Sequence, residues 1–211
     1  MSFKICAFYT DDELYSRHAK EFEQSLKNIG ISNYHIVKIP PIESWVEACG
    51  IKPRIILDTL SSTDDNVVYV DIDARFRSYP ELFDSFGFDI GAHIKDGKEL
   101  LSGTLFFRNS DKVKKLVRSW LKNQRKYTEK WDQHVLQNTI NEETQLELKL
   151  GNLPPAYCQI FDSMAHFGEP VIEHLQASRE HPDKKPMPML VVDKEKYNKL
   201  QSGEVVVYRN L

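Results

Sequence analysis

The chain has 211 residues, a length that suits one large domain better than two small ones. With 41% hydrophobic and 28% charged residues it can bury a substantial core, so disorder is excluded for most of the chain. A net charge of -3 gives no overall attraction to nucleic acid or to an anionic membrane. No run of about 18 apolar residues interrupts the sequence, and the first twelve residues turn polar too early for a signal peptide, so we expect a soluble, cytoplasmic protein.

The first part of the chain predicts alternating strands and helices. Residues 3–9 form a short, aromatic-rich apolar run typical of a strand, and the Thr10-Asp11-Asp12 corner that follows is typical of a helix cap. Apolar residues then recur with a helical period over 14–29, and Gly30 is a suitable stop. Residues 34–39 predict a second strand, and 55–61 predict a helix that follows Lys52-Pro53.

The rest of the chain predicts further strands and helices. Residues 67–70 form a β-branched run without polar alternation, as in a strand buried on both faces of a largely parallel sheet. Further strands are predicted at 88–93, 103–108, 146–150 and 171–174, and helices at 113–121 and from Trp131 onward. We therefore divide the chain into one main domain, 1–180, and a C-terminal extension, 181–211. Two short runs in the extension, 189–192 and 204–208, predict a terminal β-hairpin packed on the same domain.

The central buried strand ends abruptly in two carboxylates. In residues 67–76, VVYVDIDARF, Asp71 and Asp73 follow the strand with Ile72 between them. Residues two apart on an extended chain point to the same side, which would place the carboxylates about 5 Å apart. Such a pair repels by roughly 3 kcal/mol at an effective dielectric near 20, so it needs a cation, a shared proton or open water. Oxygen ligands of this kind favour Mg²⁺ or Mn²⁺, and the alternative is a solvated pair of loop aspartates.

The order of four features resembles the nucleotide-diphospho-sugar glycosyltransferases of the GT-A type, whose DxD motif ends a central strand. These features are the lysine-containing helix before VVYVDIDARF, the Ser102-Gly103-Thr104 segment, the Trp131-Asp132-Gln133 segment and the histidine segment at 171–179. The resemblance covers about residues 3–180 and implies an α/β fold, with a Rossmann-like, mixed but mostly parallel central sheet flanked by helices. It also implies a glycogenin-like, retaining-type architecture and transfer of a sugar from a nucleotide-diphosphate donor.

The resemblance implies a metal site made by Asp71, Asp73 and His174. An imidazole ligand suits Mn²⁺ better than Mg²⁺, although a lone histidine that ends a strand is more often a core residue. Asp132 and Gln133 are implied as the catalytic pair beside the donor sugar. A carboxylate there can bind sugar hydroxyls or stabilise positive charge at the anomeric carbon, but Asp132 is equally suited to cap a helix.

The resemblance also implies a set of donor-binding residues, namely Tyr9, Thr10, Lys52, Ile72, Gly103, Thr104, Ser178 and Arg179. Tyr9 and Thr10 would meet the base and ribose, or else are ordinary strand-end residues. Lys52 would contact the donor or project into water, and Gly103 would let the sugar approach or simply permit a turn. Ser178 and Arg179 would hold the diphosphate where the family often has a Gly-x-Lys element, so its detailed geometry does not carry over.

A basic stretch distinguishes the middle of this acidic chain. Helical spacing places most of the stretch opposite the apolar stripe, which is typical of a solvated helix face. The alternative is a surface for an anionic acceptor, so the acceptor is left as a glycan, a protein or an anionic polymer near the basic helix. The stretch comprises Lys112, Lys114, Lys115, Arg118, Lys122, Arg125, Lys126 and Lys130.

Three other functions remain open at this point. A phosphatase of the haloacid dehalogenase type would use Asp71 as nucleophile and Asp73 as acid and base. Its motif usually follows the first strand and has Thr or Val two residues after the second Asp, whereas Asp73 is followed by Ala74-Arg75 and lies some 70 residues into the chain. A nucleotidyltransferase would show a glycine-rich loop after the first strand, and residues 9–14 contain no glycine. The third is a non-catalytic sugar-binding or protein-binding module.

Overall fold

The computed structural model describes residues 2–42 and 44–180. The chain divides into two compact units, Met1–Ala177 and Ser178–Leu211. All helices and strands named below lie in the first unit. The predicted terminal hairpin, at 189–192 and 204–208, lies outside the described residues.

The described residues form an alternating α/β chain with short connections. Its strands are β1 (Phe3–Thr10), β2 (Tyr34–Ile39), β3 (Asn66–Val70), β4 (Ala74–Phe76), β5 (Ile90–Lys95), β6 (Glu99–Phe107), β7 (Leu150–Asn152), β8 (Gln159–Ile160) and β9 (Ile172–His174). Its α-helices are α1 (Glu13–Asn28), α2 (Trp45–Cys49), α3 (Lys52–Ser62), α4 (Asp111–Lys126) and α5 (Asp132–Glu142). Single 3₁₀ turns lie between several of these elements.

Six strands form the central sheet in the order β2-β1-β3-β6-β5-β7. β1 pairs in parallel with β2 and β3, and β5 pairs in parallel with β7. β6 is antiparallel to both β3 and β5, so it alone of these described strands runs against the other five. The predicted fold class, a mixed but mostly parallel sheet flanked by helices, is confirmed.

β3 is buried along its whole length because helices cover both faces of the sheet. Val68 points to the face where Phe22 of α1 packs, and Tyr69 points to the face covered by Ile56 of α3 and Trp120 of α4. Successive side chains of a strand alternate between faces, so one apolar run serves two core layers. This arrangement explains why residues 67–70 show no polar alternation.

The start and end of α1 follow the sequence signals closely. Asp12 caps the helix by accepting a hydrogen bond from the Tyr15 N–H at 2.8 Å. Gly30 adopts a φ of 77°, a left-handed conformation that glycine takes without steric cost. Among the described residues, no helix is long and apolar enough to cross a membrane.

A second, three-stranded sheet has the order β4-β9-β8. β4 and β9 are antiparallel, and their register places Ala74 opposite His174. β4 was not predicted, because three residues are too few to show a period. This small sheet joins the segment after the central strand to the C-terminal histidine segment.

Three predicted strands differ from the structure, and one of them, predicted at 103–108, is part of the longer strand β6, which begins at Glu99. Residues 146–149 are not a strand, because Thr144–Leu146 forms a 3₁₀ turn and Glu147 has a φ of 47° before β7 begins at Leu150. A left-handed residue interrupts an extended chain, which the apolar composition of this segment did not reveal. The strand predicted at 88–93 instead begins at Ile90 and runs to Lys95.

The basic stretch lies as its helical spacing predicted. α4 buries Val113, Leu116, Val117 and Trp120 against the core. Most of the lysines and arginines of this stretch point away from that stripe, and Lys115, Arg118 and Lys122 are exposed. The face of α4 that is turned from the core is therefore strongly basic.

Candidate functional site

The two aspartates after β3 are brought together by a turn. Residues 71–73 are not extended, and the Ala74 N–H donates to the Asp71 carbonyl at 3.0 Å, so the assumption of an extended chain was wrong. The Asp71 N–H donates to the Gly103 carbonyl at 2.9 Å, which fixes the start of the turn beside β6. The carboxylates still converge, since one oxygen of each lies within 4.8 Å of the other.

His174 joins this pair through the small sheet. The pairing of β4 with β9 brings the His174 Nδ1 to 3.8 Å from the Asp73 Oδ1. The His174 Nε2 lies 2.9 Å from the Thr104 hydroxyl oxygen. One ligand atom from each of Asp71, Asp73 and His174 lies within 4.8 Å of the others. The structure therefore brings together the three residues that were predicted as metal ligands.

Gly103 provides the space for the His174 ring. A Cβ on Gly103 would lie 2.9 Å from the His174 Cε1 and 3.1 Å from its Nδ1. Gly103 lies inside β6, so it does not serve a turn. The small size of this residue is explained by the close approach of the imidazole.

The two carboxylates have different surroundings. The Asp73 Oδ2 accepts the Ala177 N–H at 2.8 Å. Burial raises the pKa of Asp73, but His174 and this N–H outweigh that effect and hold the pKa below its ordinary value. For Asp71, partial burial and the carboxylates of Asp73 and Asp132 raise the pKa, and Lys52 only partly offsets them. A cation between Asp71 and Asp73 would relieve their repulsion.

Lys52 is buried at the base of the site, with 3% of its surface exposed. Its Nζ lies 3.1 Å from the Asp71 Oδ1 and 2.8 Å from the Asp132 Oδ2. Burial lowers the pKa of a lysine, yet these two carboxylates raise the pKa of Lys52 above its ordinary value, so it stays charged. The interpretation in which Lys52 projects into water was wrong.

Asp132 is buried at the first turn of α5 and its carboxylate points into this same network. Its Oδ2 accepts a hydrogen bond from the Ser102 hydroxyl at 2.8 Å. The Gln133 Oε1 accepts the Ser102 N–H at 3.3 Å, and the Gln133 Nε2 donates to the Glu99 Oε1 at 2.7 Å. Asp132 makes no side-chain capping bond in the described structure, so its alternative role as a helix cap receives no support.

The residues predicted to meet the nucleotide lie around the end of β1. Tyr9 is half-buried, and Thr10 is buried with its hydroxyl bound to Asp12. Ile72 is buried in the core, so only its backbone is available to a donor. Tyr15 was not predicted. It lies in the first turn of α1, where burial and the nearby Asp73 and other acidic groups raise its pKa.

Ser178 and Arg179 follow Ala177 in the 3₁₀ turn Ala177–Arg179. Both belong to the second unit of the chain. Their role in binding the diphosphate stays a prediction.

The chain matches the family model described as nucleotide-diphospho-sugar transferase over residues 11–189. It belongs to this family. The chain is thus a glycosyltransferase, and the phosphatase, the nucleotidyltransferase and the non-catalytic module are set aside. A search of curated protein sequences finds no significant match.

Solved structures support the same fold for the transferase. A glycosyltransferase involved in the glycosylation of the major capsid of PBCV-1 aligns with a TM-score of 0.61 and 14% identity, over 83% of this chain and 93% of that one. The glycosyltransferase GlyE of Streptococcus pneumoniae TIGR4 aligns with a TM-score of 0.57 and 16% identity, over 98% of this chain. The apo form of GlyE aligns with a TM-score of 0.55 and 15% identity. The chain spans 61% of the length of GlyE.

The three potential metal ligands of the transferase, Asp71, Asp73 and His174, fit a divalent cation. Two ligands on opposite sides of one Mg²⁺ stand about 4.2 Å apart, twice the usual bond length. The largest separation among the three ligand atoms is within 4.8 Å, so small side-chain rotations would close the site. Two carboxylates and one imidazole form a mixed oxygen and nitrogen set, which suits Mn²⁺ better than Mg²⁺.

Proposed function

We propose that this transferase moves a sugar from a nucleotide-diphosphate donor to an acceptor, with the diphosphate held at a Mn²⁺ or Mg²⁺ site made by Asp71, Asp73 and His174. The observation that carries this proposal is the convergence of these three side chains at the carboxyl end of β3. The carboxyl ends of strands are where open α/β sheets bind their ligands. Membership of the family supports the nucleotide-sugar donor.

The cation, when bound, supplies Lewis-acid stabilisation of the charge that builds up on the departing nucleoside diphosphate. The protein residues do the remaining work. Thr104 holds the His174 ring in place, and Gly103 leaves room for it. The Ala177 N–H fixes the Asp73 carboxylate, so the ligands are oriented before any donor arrives.

Asp132 is proposed to act on the donor sugar. Its carboxylate is separated from that of Asp71 by a single ammonium group, that of Lys52, which bonds to both. The short distance between the two carboxylates supports a position of Asp132 close to the bond between the sugar and the diphosphate. A fixed carboxylate there stabilises positive charge that develops at the anomeric carbon.

The proposal is tested by incubating the purified chain with UDP-linked and GDP-linked hexoses, with and without Mn²⁺, and measuring the release of nucleoside diphosphate. We expect slow, Mn²⁺-dependent release even without an acceptor. Asp73→Asn should reduce this release at least tenfold and weaken Mn²⁺ binding in calorimetry, because it removes a charged ligand. Asp58→Asn, which changes an exposed aspartate on α3, is the matched control. Mn²⁺ affinity unchanged in Asp73→Asn would contradict the metal role.

A further inference from the structure

Ser102 is a buried strand residue that makes hydrogen bonds to two charged side chains, Lys52 and Asp132. It lies in β6 with 5% of its surface exposed, one residue before Gly103. Its hydroxyl donates to the Asp132 Oδ2 at 2.8 Å. Its carbonyl and its hydroxyl oxygen both accept hydrogen bonds from the Lys52 Nζ, each at 3.2 Å. A single residue therefore bonds to both members of a buried ion pair.

The backbone of Ser102 is itself held by the neighbouring helix. Its N–H donates to the Gln133 Oε1, and the Gln133 Nε2 is anchored on Glu99 of the same strand. Gln133 thus spans from α5 to β6 and clamps the strand at Ser102. Gln133, which was predicted as the catalytic partner of Asp132, therefore makes hydrogen bonds with both its amide oxygen and its amide nitrogen.

The bonds to Asp132 all fall on one oxygen. The Ser102 hydroxyl and the Lys52 ammonium both bind Oδ2, which leaves Oδ1 without a partner among residues 2–42 and 44–180. Two donors on one oxygen fix the plane of the carboxylate as well as its position. Such preorganisation is what makes a charged group effective in a transition state, because no reorganisation is needed during the reaction.

We infer that Ser102 is a positioning residue of this transferase, which orients Asp132 so that its Oδ1 faces the donor sugar. The inference rests on the proposed function, because it assumes that Asp132 acts on that sugar. Among the described residues, Ser102 bonds to Lys52, Asp132 and Gln133 and to none of the three proposed cation ligands. Its loss should therefore slow the chemical step and leave binding of the cation unchanged.

The test compares Ser102→Ala with Ser102→Thr, which keeps a hydroxyl, and with Ser25→Ala. Ser25 is a matched control, since it is a buried serine whose hydroxyl also makes two hydrogen bonds, to the Phe22 carbonyl and from the Phe76 N–H. The measurements are kcat and KM for Mn²⁺-dependent hydrolysis of the best hexose donor, Mn²⁺ affinity by calorimetry, and the thermal midpoint.

We expect Ser102→Ala to lose about 10-fold to 100-fold in kcat, by analogy with the loss that follows removal of a group that orients a metal ligand. KM and Mn²⁺ affinity should stay within about twofold of the wild-type values. Loss of an interaction that is made only in the transition state lowers kcat without changing KM. Ser102→Thr should recover most of the activity, and Ser25→Ala should keep kcat. An unchanged kcat in Ser102→Ala overturns the inference, as does a parallel fall in kcat, Mn²⁺ affinity and thermal midpoint.

A crystal structure of Ser102→Ala separates failure of this inference from failure of the proposed function. If the wild type releases nucleoside diphosphate from no hexose donor, the proposed function fails, yet the orientation of Asp132 can still be compared. The inference requires the Asp132 carboxylate to rotate away from its wild-type plane while Lys52 stays buried. A carboxylate that keeps its wild-type plane overturns it.

Discussion

Lys52 and Ser102 show how much of the site depends on contacts between distant parts of the chain. Lys52 bonds to Ser102, fifty positions later, and to Asp132, which is farther still. Local composition predicts the helix that carries Lys52, but it contains no signal for which buried group the ammonium will meet. For the same reason Tyr15 was not predicted as a residue near the site. Its position in the first turn of α1, directly after the Asp12 cap, was the one clue in the sequence.

A buried lysine between two carboxylates is a strong constraint at the residue scale. Charges removed from water are tolerated only when they are paired and hydrogen-bonded. Lys52 meets this condition with two carboxylates and two oxygens of Ser102. The network therefore holds β6, α3, α5 and the turn after β3 in fixed relation, and it does so before any donor is present.

Replacement of Gly103 by alanine should disturb the cation site directly. The new Cβ would lie 2.9 Å from the His174 Cε1, so the imidazole has to shift. We expect Mn²⁺ affinity to fall about tenfold or more, as for other changes that displace a metal ligand, and stability to fall by about 1–3 kcal/mol from overpacking. Calorimetry with Mn²⁺ and chemical denaturation measure the two effects.

Gly87→Ala is the matched control for this change. A Cβ at Gly87 meets no atom within 4 Å, so neither Mn²⁺ affinity nor stability should fall. Equal Mn²⁺ affinities for Gly103→Ala and Gly87→Ala would show that the His174 ring is not a ligand in the place described.

At the scale of elements, the sequence predicted the long, regular ones and the short strand β9, but missed the short elements α2, β4 and β8. β1, α1 and β2 were predicted within a few residues, because their apolar periods, the Asp12 cap and Gly30 all act locally. β4 has three residues and forms only because β9 returns beside it. The close approach of His174 to Asp73 follows from that pairing, so only the family resemblance pointed to it in advance.

Asp89 joins three segments at the amino end of β5. Its Oδ2 binds the Lys112 Nζ at 2.6 Å and the Lys149 N–H at 2.8 Å, and its side chain is buried. Burial raises the pKa of Asp89, but Lys112 and the Lys149 N–H outweigh it and hold the pKa below its ordinary value. Asp89 therefore ties α4 and the segment before β7 to the central sheet.

Asp89→Asn should destabilise the protein by about 1–3 kcal/mol at pH 7, because charge-assisted hydrogen bonds are lost. The folded-state pKa is lowered, so this stabilisation is present above about pH 4 and is lost as pH falls through the folded-state value. The difference between the wild type and Asp89→Asn in chemical denaturation should thus be largest near neutrality and shrink in acid. A difference that grows as the pH falls would contradict this account.

At the scale of the whole chain, the mixed sheet gathers the functional side chains at one edge. The central strands β1 and β3 end at that edge, and β6, which runs the other way, brings Ser102, Gly103 and Thr104 back to it. The order of these segments along the chain is what the sequence resemblance detected. The identity with solved glycosyltransferases is only 14–16%, so order and residue type carried more information than overall similarity.

A crystal structure of the chain grown with Mn²⁺ and a nucleoside diphosphate tests the central claim most directly, because manganese can be located by its anomalous scattering. We predict one manganese peak bonded to Asp71, Asp73 and His174 at about 2.0–2.2 Å, with the diphosphate oxygens completing its coordination. A manganese ion and diphosphate bound elsewhere, with these three side chains unligated, would contradict the account.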